Sequence, residues 1–127
     1  MNPSLNQSLG NAVSRYVQQL GYELVQTSGW PEFHFGSSLL ALEYARTLTK
    51  ESLENEIRSC ERELKSSPGS YSKILPRLEV LKGFRKAPAV YVLKYCEVPD
   101  NESRVIGMTF YVDPQSGNIT HDMTGTF

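Results

Sequence analysis

The last third of the chain is patterned as three strands separated by turns. Residues 89–98 are apolar on both faces of a strand, and residues 104–112 and 118–127 alternate apolar with other side chains. Alternation with a period of two is typical of strands, and the intervening segments 98–103 and 113–117 are rich in turn-forming residues. The pattern predicts a three-stranded antiparallel meander, which needs helices on at least one face.

The second turn of the meander also predicts a register. If Asp113 pairs with Asn118, one face of the hairpin is consistently apolar, as a sheet backed by helices requires. Residues 107–119 resemble the strand, D-x-x-[ST]-G turn and strand of PepSY-type domains, a resemblance that implies a hairpin and no particular function. The opposed pairs are then Val112–Ile119, Phe110–His121, Met108–Met123 and Ile106–Gly125.

The N-terminal part of the chain is predicted to supply one strand and two of the helices. Apolar residues at spacings of three and four predict an amphipathic helix over 4–20, and residues 22–27 predict a short strand. Residues 29–36, bounded by two glycines, form a structured loop or a second short strand. From Ser37 the apolar residues between Leu39 and Leu48 surround most of a helical circumference, which predicts a core helix buried on several sides.

The middle of the chain predicts an antiparallel helical hairpin over residues 50–83. A narrow apolar stripe from Leu53 to Leu64 is followed by a turn rich in helix breakers at 66–70 and by a second apolar seam that ends at Gly83. The exterior of the first helix is densely charged. We therefore expect the hairpin to project from the body of the domain and to provide a binding surface for a partner protein.

Together these elements predict a single α+β domain over residues 1–127. Its sheet is antiparallel with three to four strands, formed by the C-terminal meander and one N-terminal strand. Helices back the sheet, and the helical hairpin is added to it.

Charge and cysteine content narrow the classes of partner. The formal net charge is −1, and apolar runs never approach the ~18–20 residues that cross a bilayer. Cys60 and Cys96 are too far apart for a zinc pair, so we expect two reduced thiols in a cytoplasmic protein. A basic run at 73–86 is balanced by an acidic region at 97–122, and we expect neither a nucleic-acid nor a membrane partner.

Known catalytic, nucleotide-binding and metal-binding motifs do not occur in the sequence. Glu32 and His34 share a face of an extended segment, but a catalytic metal needs a third ligand that the sequence does not offer. We therefore assign no catalytic residue, no metal and no cofactor, and favour a non-enzymatic protein.

Two functional hypotheses remain. The first is a protein-binding domain, such as a small inhibitor, adaptor or immunity-type protein, because tyrosines on a sheet face and arginines on the hairpin suit an interface. Its candidate residues are Tyr91, Leu93, Tyr95, Tyr111, Arg58 and Arg62. The alternative is a small-molecule-binding or enzymatic pocket in a cone-like α+β fold, lined by Trp30, His34 and His121, with His121 as the candidate base.

Overall fold

A computed structural model describes residues 4–25, 29–67, 69, 71–98 and 106–125. It shows three α-helices and six β-strands within these residues. In chain order they are α1 (Leu5–Gln19), β1 (Glu23–Val25), β2 (Glu32–Phe35), β3 (Ser38–Thr47), α2 (Lys50–Ser66), α3 (Tyr71–Gly83), β4 (Tyr91–Val98), β5 (Ile106–Val112) and β6 (Ile119–Gly125).

All six strands join one antiparallel sheet, in the order in which they occur along the chain. The sheet is curled into a half-barrel. The α+β class is correct, but the predicted sheet of three to four strands is wrong. The predicted meander corresponds to β4, β5 and β6, and the four predicted pairs between β5 and β6 are confirmed. Residues 99–103 of the predicted first turn lie outside the described part of the chain.

The error in strand number arises mainly at β3, where a core helix was expected over Leu39–Leu48. This segment pairs antiparallel with both β2 and β4. A two-residue turn joins β2 to β3, and Gly36 supplies the positive φ of 62° that such turns require. Pairing with two neighbouring strands outweighs the helix propensity of a segment rich in Leu and Ala.

The main core lies between α1 and the inner face of the curled sheet. Val13 and Val17 of α1 are fully buried there, as is Phe110 at the centre of a group of aromatic rings. Ser4 begins α1 as its N-cap, since its hydroxyl accepts a hydrogen bond from the Gln7 N–H at 3.2 Å. The periodicity of residues 4–20 is thus confirmed as an amphipathic helix.

The helical hairpin is also confirmed, but it packs on the outer face of the sheet and does not project freely. Its seam, which includes Ile57 and Leu78, forms one buried cluster with Val92 of β4 and Tyr111 of β5. A 3₁₀ turn over Phe84–Lys86 leads from the hairpin back to the sheet. Among the helices described, none has the length and apolar character needed to span a membrane.

Candidate functional site

Strand β6 forms one edge of the sheet. It pairs with β5 on one side, and no strand of the described residues pairs with its other side. The Asp113 N–H donates to the Asn118 carbonyl at 2.9 Å, which makes these residues a hydrogen-bonded pair. Such pairs alternate along an antiparallel ladder, so Thr120 and Asp122 direct their backbone groups toward β5. The backbone N–H and C=O groups of Ile119, His121 and Met123 therefore point outward, away from the sheet.

A groove runs along this free edge. Its volume is about 610 Å³, and it is lined by five consecutive residues of β6, Ile119 to Met123, together with Tyr16 of α1, Glu63 of α2, and residues of α3. Successive residues of a strand point to opposite faces, so a cavity that touches all five must follow the strand's edge. We call this cavity the β6 groove; its lining is Tyr16, Glu63, Lys73, Ile74, Pro76, Arg77, Val80 and residues 119–123.

The two walls of the β6 groove come from helices on opposite faces of the sheet. On the inner side Tyr16 contacts His121, and on the outer side Arg77 lies 3.8 Å from the Asp122 carboxylate. Both sides contain apolar side chains, among them Ile119 on the inner side and Ile74 on the outer side. An occupant of the groove therefore meets apolar surface on two sides and backbone hydrogen-bonding groups along its floor.

A hydrogen bond between α1 and β6 holds the inner wall in place. The Tyr16 hydroxyl lies 2.6 Å from Nδ1 of His121, and the two rings meet edge to face. Burial lowers the pKa of His121, and the nearby Arg77 guanidinium lowers it further. Burial likewise raises the pKa of Tyr16. Both groups are neutral near pH 7, and either histidine tautomer can form the bond because a hydroxyl both donates and accepts.

The lowered pKa of His121 predicts how stability changes with pH. The unfolded chain binds a proton on this residue near its ordinary pKa of 6.5, before the folded chain does. Its stabilising contribution is therefore present above that value and is lost as pH falls below it. We expect urea denaturation to give a smaller free energy of unfolding at pH 5.5 than at pH 7.5. His121→Gln should reduce this difference, whereas an equal difference in wild type and variant would contradict the prediction.

The outer wall is held in place by the partly buried guanidinium of Arg77. Arg77 donates to the Glu56 carboxylate at 3.0 Å and to Sγ of Cys60 at 2.7 Å, and it stands over the ring of Tyr111. Its Nε is buried and has no hydrogen-bond partner among the described residues. Burial raises the pKa of the Cys60 thiol, which keeps it protonated and poorly nucleophilic. The arrangement positions α3 against β5 and β6.

The tyrosines proposed for partner binding are part of the two cores. Leu93 and Tyr95 are fully buried in the inner core, and Tyr111 is only 7% exposed beneath the hairpin. Tyr91 is half-buried and packs against the inner core. Leu93, Tyr95 and Tyr111 are therefore inaccessible to a partner, and Tyr91 is only partly accessible.

The remaining predicted site residues do not come together in one site. Arg58 and Arg62 are exposed on α2, where Arg58 donates to Asn55. His34 lies on β2, which three strands separate from His121 on β6. Trp30 packs against the inner core near Gly10. Of the predicted pocket residues, only His121 lines the β6 groove.

Sequence reasoning missed Tyr16, Ile74 and Arg77 as lining residues of the groove. One signal was available, since the last strand of a meander has a free edge unless another element pairs with it. No pattern in the sequence indicated that helices would lie beside that edge. The described residues contain no group of three or more His, Cys, Asp or Glu side chains that could hold a metal ion.

Comparisons with known proteins add no further guide to the site. Neither protein-family models, nor curated proteins, nor solved structures give a match to this chain.

Proposed function

We propose that the chain is a non-enzymatic protein-binding domain that takes up an extended segment of another protein along β6. The observation that supports this is the groove along the strand's free edge, with the backbone groups of Ile119, His121 and Met123 directed into it. Unpaired strand edges are templates for an added strand, and main-chain hydrogen bonds then supply much of the affinity. A small inhibitor, adaptor or immunity-type protein would work in this way.

The composition of β6 supports the proposal. Exposed edge strands are usually short or protected by lysine, proline or bulges. Strand β6 has seven residues, of which Asp122 alone is charged, and none is lysine or proline. Its register with β5 runs without a bulge from Ile106–Gly125 to Val112–Ile119. Such an edge is well suited to a partner strand.

The flanking helices favour a single extended segment over a second copy of this chain. A second copy presents its own β6 between its own α1 and α3. Bringing two β6 strands to the ~4.8 Å spacing of a pair also brings the flanking helices of the two copies together. A free segment has no such walls and can enter the groove, with alternate side chains facing the apolar residues of its two sides.

We also propose that the protein acts in the cytoplasm. Cys60 is a buried free cysteine. Free cysteines are the usual state in a reducing compartment, which supports this assignment.

The proposal is tested by selecting ligands from random twelve-residue peptides displayed on phage, with the full chain as the immobilised target. We expect enriched peptides to carry apolar residues at alternate positions. They should bind wild type and Met123→Ala, which keeps the outward N–H, but not Met123→Pro, which lacks it. Failure to enrich any peptide, or equal binding to Met123→Pro, would reject the proposal.

A second candidate function is the binding of a small molecule in the same groove, using His121. The short Tyr16–His121 hydrogen bond inside a cavity of about 610 Å³ favours it, since drug-sized ligands occupy ~300–1,000 Å³. Fragments screened by NMR would identify such a ligand. Its binding should be lost in His121→Phe and retained in Met123→Pro, which is the reverse of the pattern expected for an extended peptide.

A further inference from the structure

A second cavity adjoins the β6 groove on its inner side. It has a volume of about 280 Å³ and lies between α1 and the turn that joins β5 to β6. It shares Tyr16 and Ile119 with the groove, so the two cavities are neighbours along the strand's edge. We call it the α1 cleft; its lining is Ser8, Asn11, Ala12, Arg15, Tyr16, Gln19, Pro114, Gly117 and Ile119.

The α1 cleft has one charge, and that charge is positive. Arg15 is the single ionisable side chain of its lining besides Tyr16, and it makes no ion pair within the described part of the chain. Ser8, Asn11 and Gln19 add neutral side chains that donate hydrogen bonds. The turn does contain a carboxylate, Asp113, but it is buried and accepts hydrogen bonds from the turn itself.

Strand geometry directs one side chain of a bound segment toward this cleft. The side chain of Ile119 packs against the inner core on the α1 side. Residues directly opposite each other in paired strands project to the same face. The residue of an added strand that lies opposite Ile119 therefore directs its side chain toward α1, where Arg15 and the amides are.

We infer that the partner's segment places a carboxylate in the α1 cleft, paired with Arg15; this inference rests on the proposed function of the β6 groove. A guanidinium with neighbouring amide donors suits a carboxylate, which it can bind through two hydrogen bonds. The carboxylate belongs either to an acidic side chain opposite Ile119 or to the segment's C-terminus. Both sources present the same chemistry to the cleft.

The test uses the tightest-binding peptide from the selection on the full chain, synthesised with a free C-terminus. We expect Arg15→Gln to weaken its binding about tenfold, because a charge-assisted hydrogen bond is lost. Arg46→Gln removes the same charge from an exposed position of β3, which β4 and β5 separate from β6, and should leave the affinity unchanged. Two further peptides identify the source of the carboxylate: one has its acidic residue replaced by the amide, and the other has an amidated C-terminus. The change that weakens binding to wild type as much as Arg15→Gln does identifies the carboxylate that binds.

Further outcomes separate this inference from the proposed function. Removing the peptide's carboxylate should not lower its affinity for Arg15→Gln any further, since each of the two changes removes the same ion pair. A peptide that needs the Met123 N–H but binds wild type and Arg15→Gln equally would overturn the inference and leave the groove's function standing. A peptide that binds wild type and Met123→Pro equally would instead contradict the proposed function.

Discussion

Replacing Leu40 by Asp is expected to leave the chain unfolded at room temperature. Leu40 is fully buried on β3 in the inner core, where it pairs with Phe33 of β2. The substitution combines the loss of a core side chain, ~2–5 kcal/mol, with the burial of an uncompensated carboxylate, which adds several kcal/mol more. That total is comparable with the whole stability of a small domain, ~5–15 kcal/mol. Circular dichroism and thermal melting would show the loss of structure.

Ile57→Asp provides the comparison on the outer face of the sheet. Ile57 is also fully buried, but it lies in the separate cluster between the hairpin and the sheet. That cluster can open to water while α1 and the inner face of the sheet remain packed, so we expect a smaller loss of stability. Equal losses in Leu40→Asp and Ile57→Asp would show that the two clusters unfold as one unit and would contradict this expectation.

Proline at two positions of β6 is expected to affect stability very differently. The Thr120 N–H faces β5 and belongs to the pair with Tyr111. Thr120→Pro removes that hydrogen bond and leaves a carbonyl unpaired, so we expect a loss on the order of 2–4 kcal/mol. The Met123 N–H faces outward, where proline is tolerated on an edge strand. Met123→Pro should cost less than about 1.5 kcal/mol relative to Met123→Ala.

Urea denaturation of these three variants checks the assignment of the outward backbone groups. The alanine variant accounts for the contacts that the Met123 side chain makes with the inner core. A loss in Met123→Pro as large as that in Thr120→Pro would mean that the Met123 N–H is already bonded within the fold. In that case β6 would have no free donor at this position and could not accept a partner strand there.

The sequence predicted the parts of the fold that are specified locally. The register of β5 with β6 followed from alternation and from one turn, in which the Asp113 side chain accepts hydrogen bonds from the Gln115 N–H and the Ser116 hydroxyl. The hairpin of α2 and α3 followed from its apolar stripe and its helix-breaking turn. In these segments neighbouring residues alone decide the structure.

Strand β3 could not be identified in this way, because its structure depends on partners distant in sequence. Leu40 pairs with Glu97 of β4, and the Ser38 hydroxyl donates to the Glu97 carboxylate at 3.0 Å. An apolar segment rich in leucine is compatible with a buried helix or a buried strand. The Gly36-Ser37 turn, which follows a segment containing Phe33 and Phe35, is the one local feature that favours a hairpin at this point of the sequence.

The candidate site was predicted least well, for a physical reason. Tyr95 lies on β4 and Tyr111 on β5, and the alternation of each strand is compatible with an exposed or a buried tyrosine. Only the position of the helices decides between these possibilities. The β6 groove likewise exists because Tyr16 and Arg77 approach one strand from opposite faces. No spacing in the sequence encodes that approach.

The most direct test of an extended segment pairing with β6 is amide hydrogen exchange, residue by residue, with and without a selected peptide. The account predicts an alternating result. Binding should slow exchange at Ile119, His121 and Met123, whose N–H groups face the groove, and should leave Thr120 and Asp122, already bonded to β5, much less changed. Uniform protection along β6, or protection confined to another surface of the domain, would contradict strand pairing at this edge.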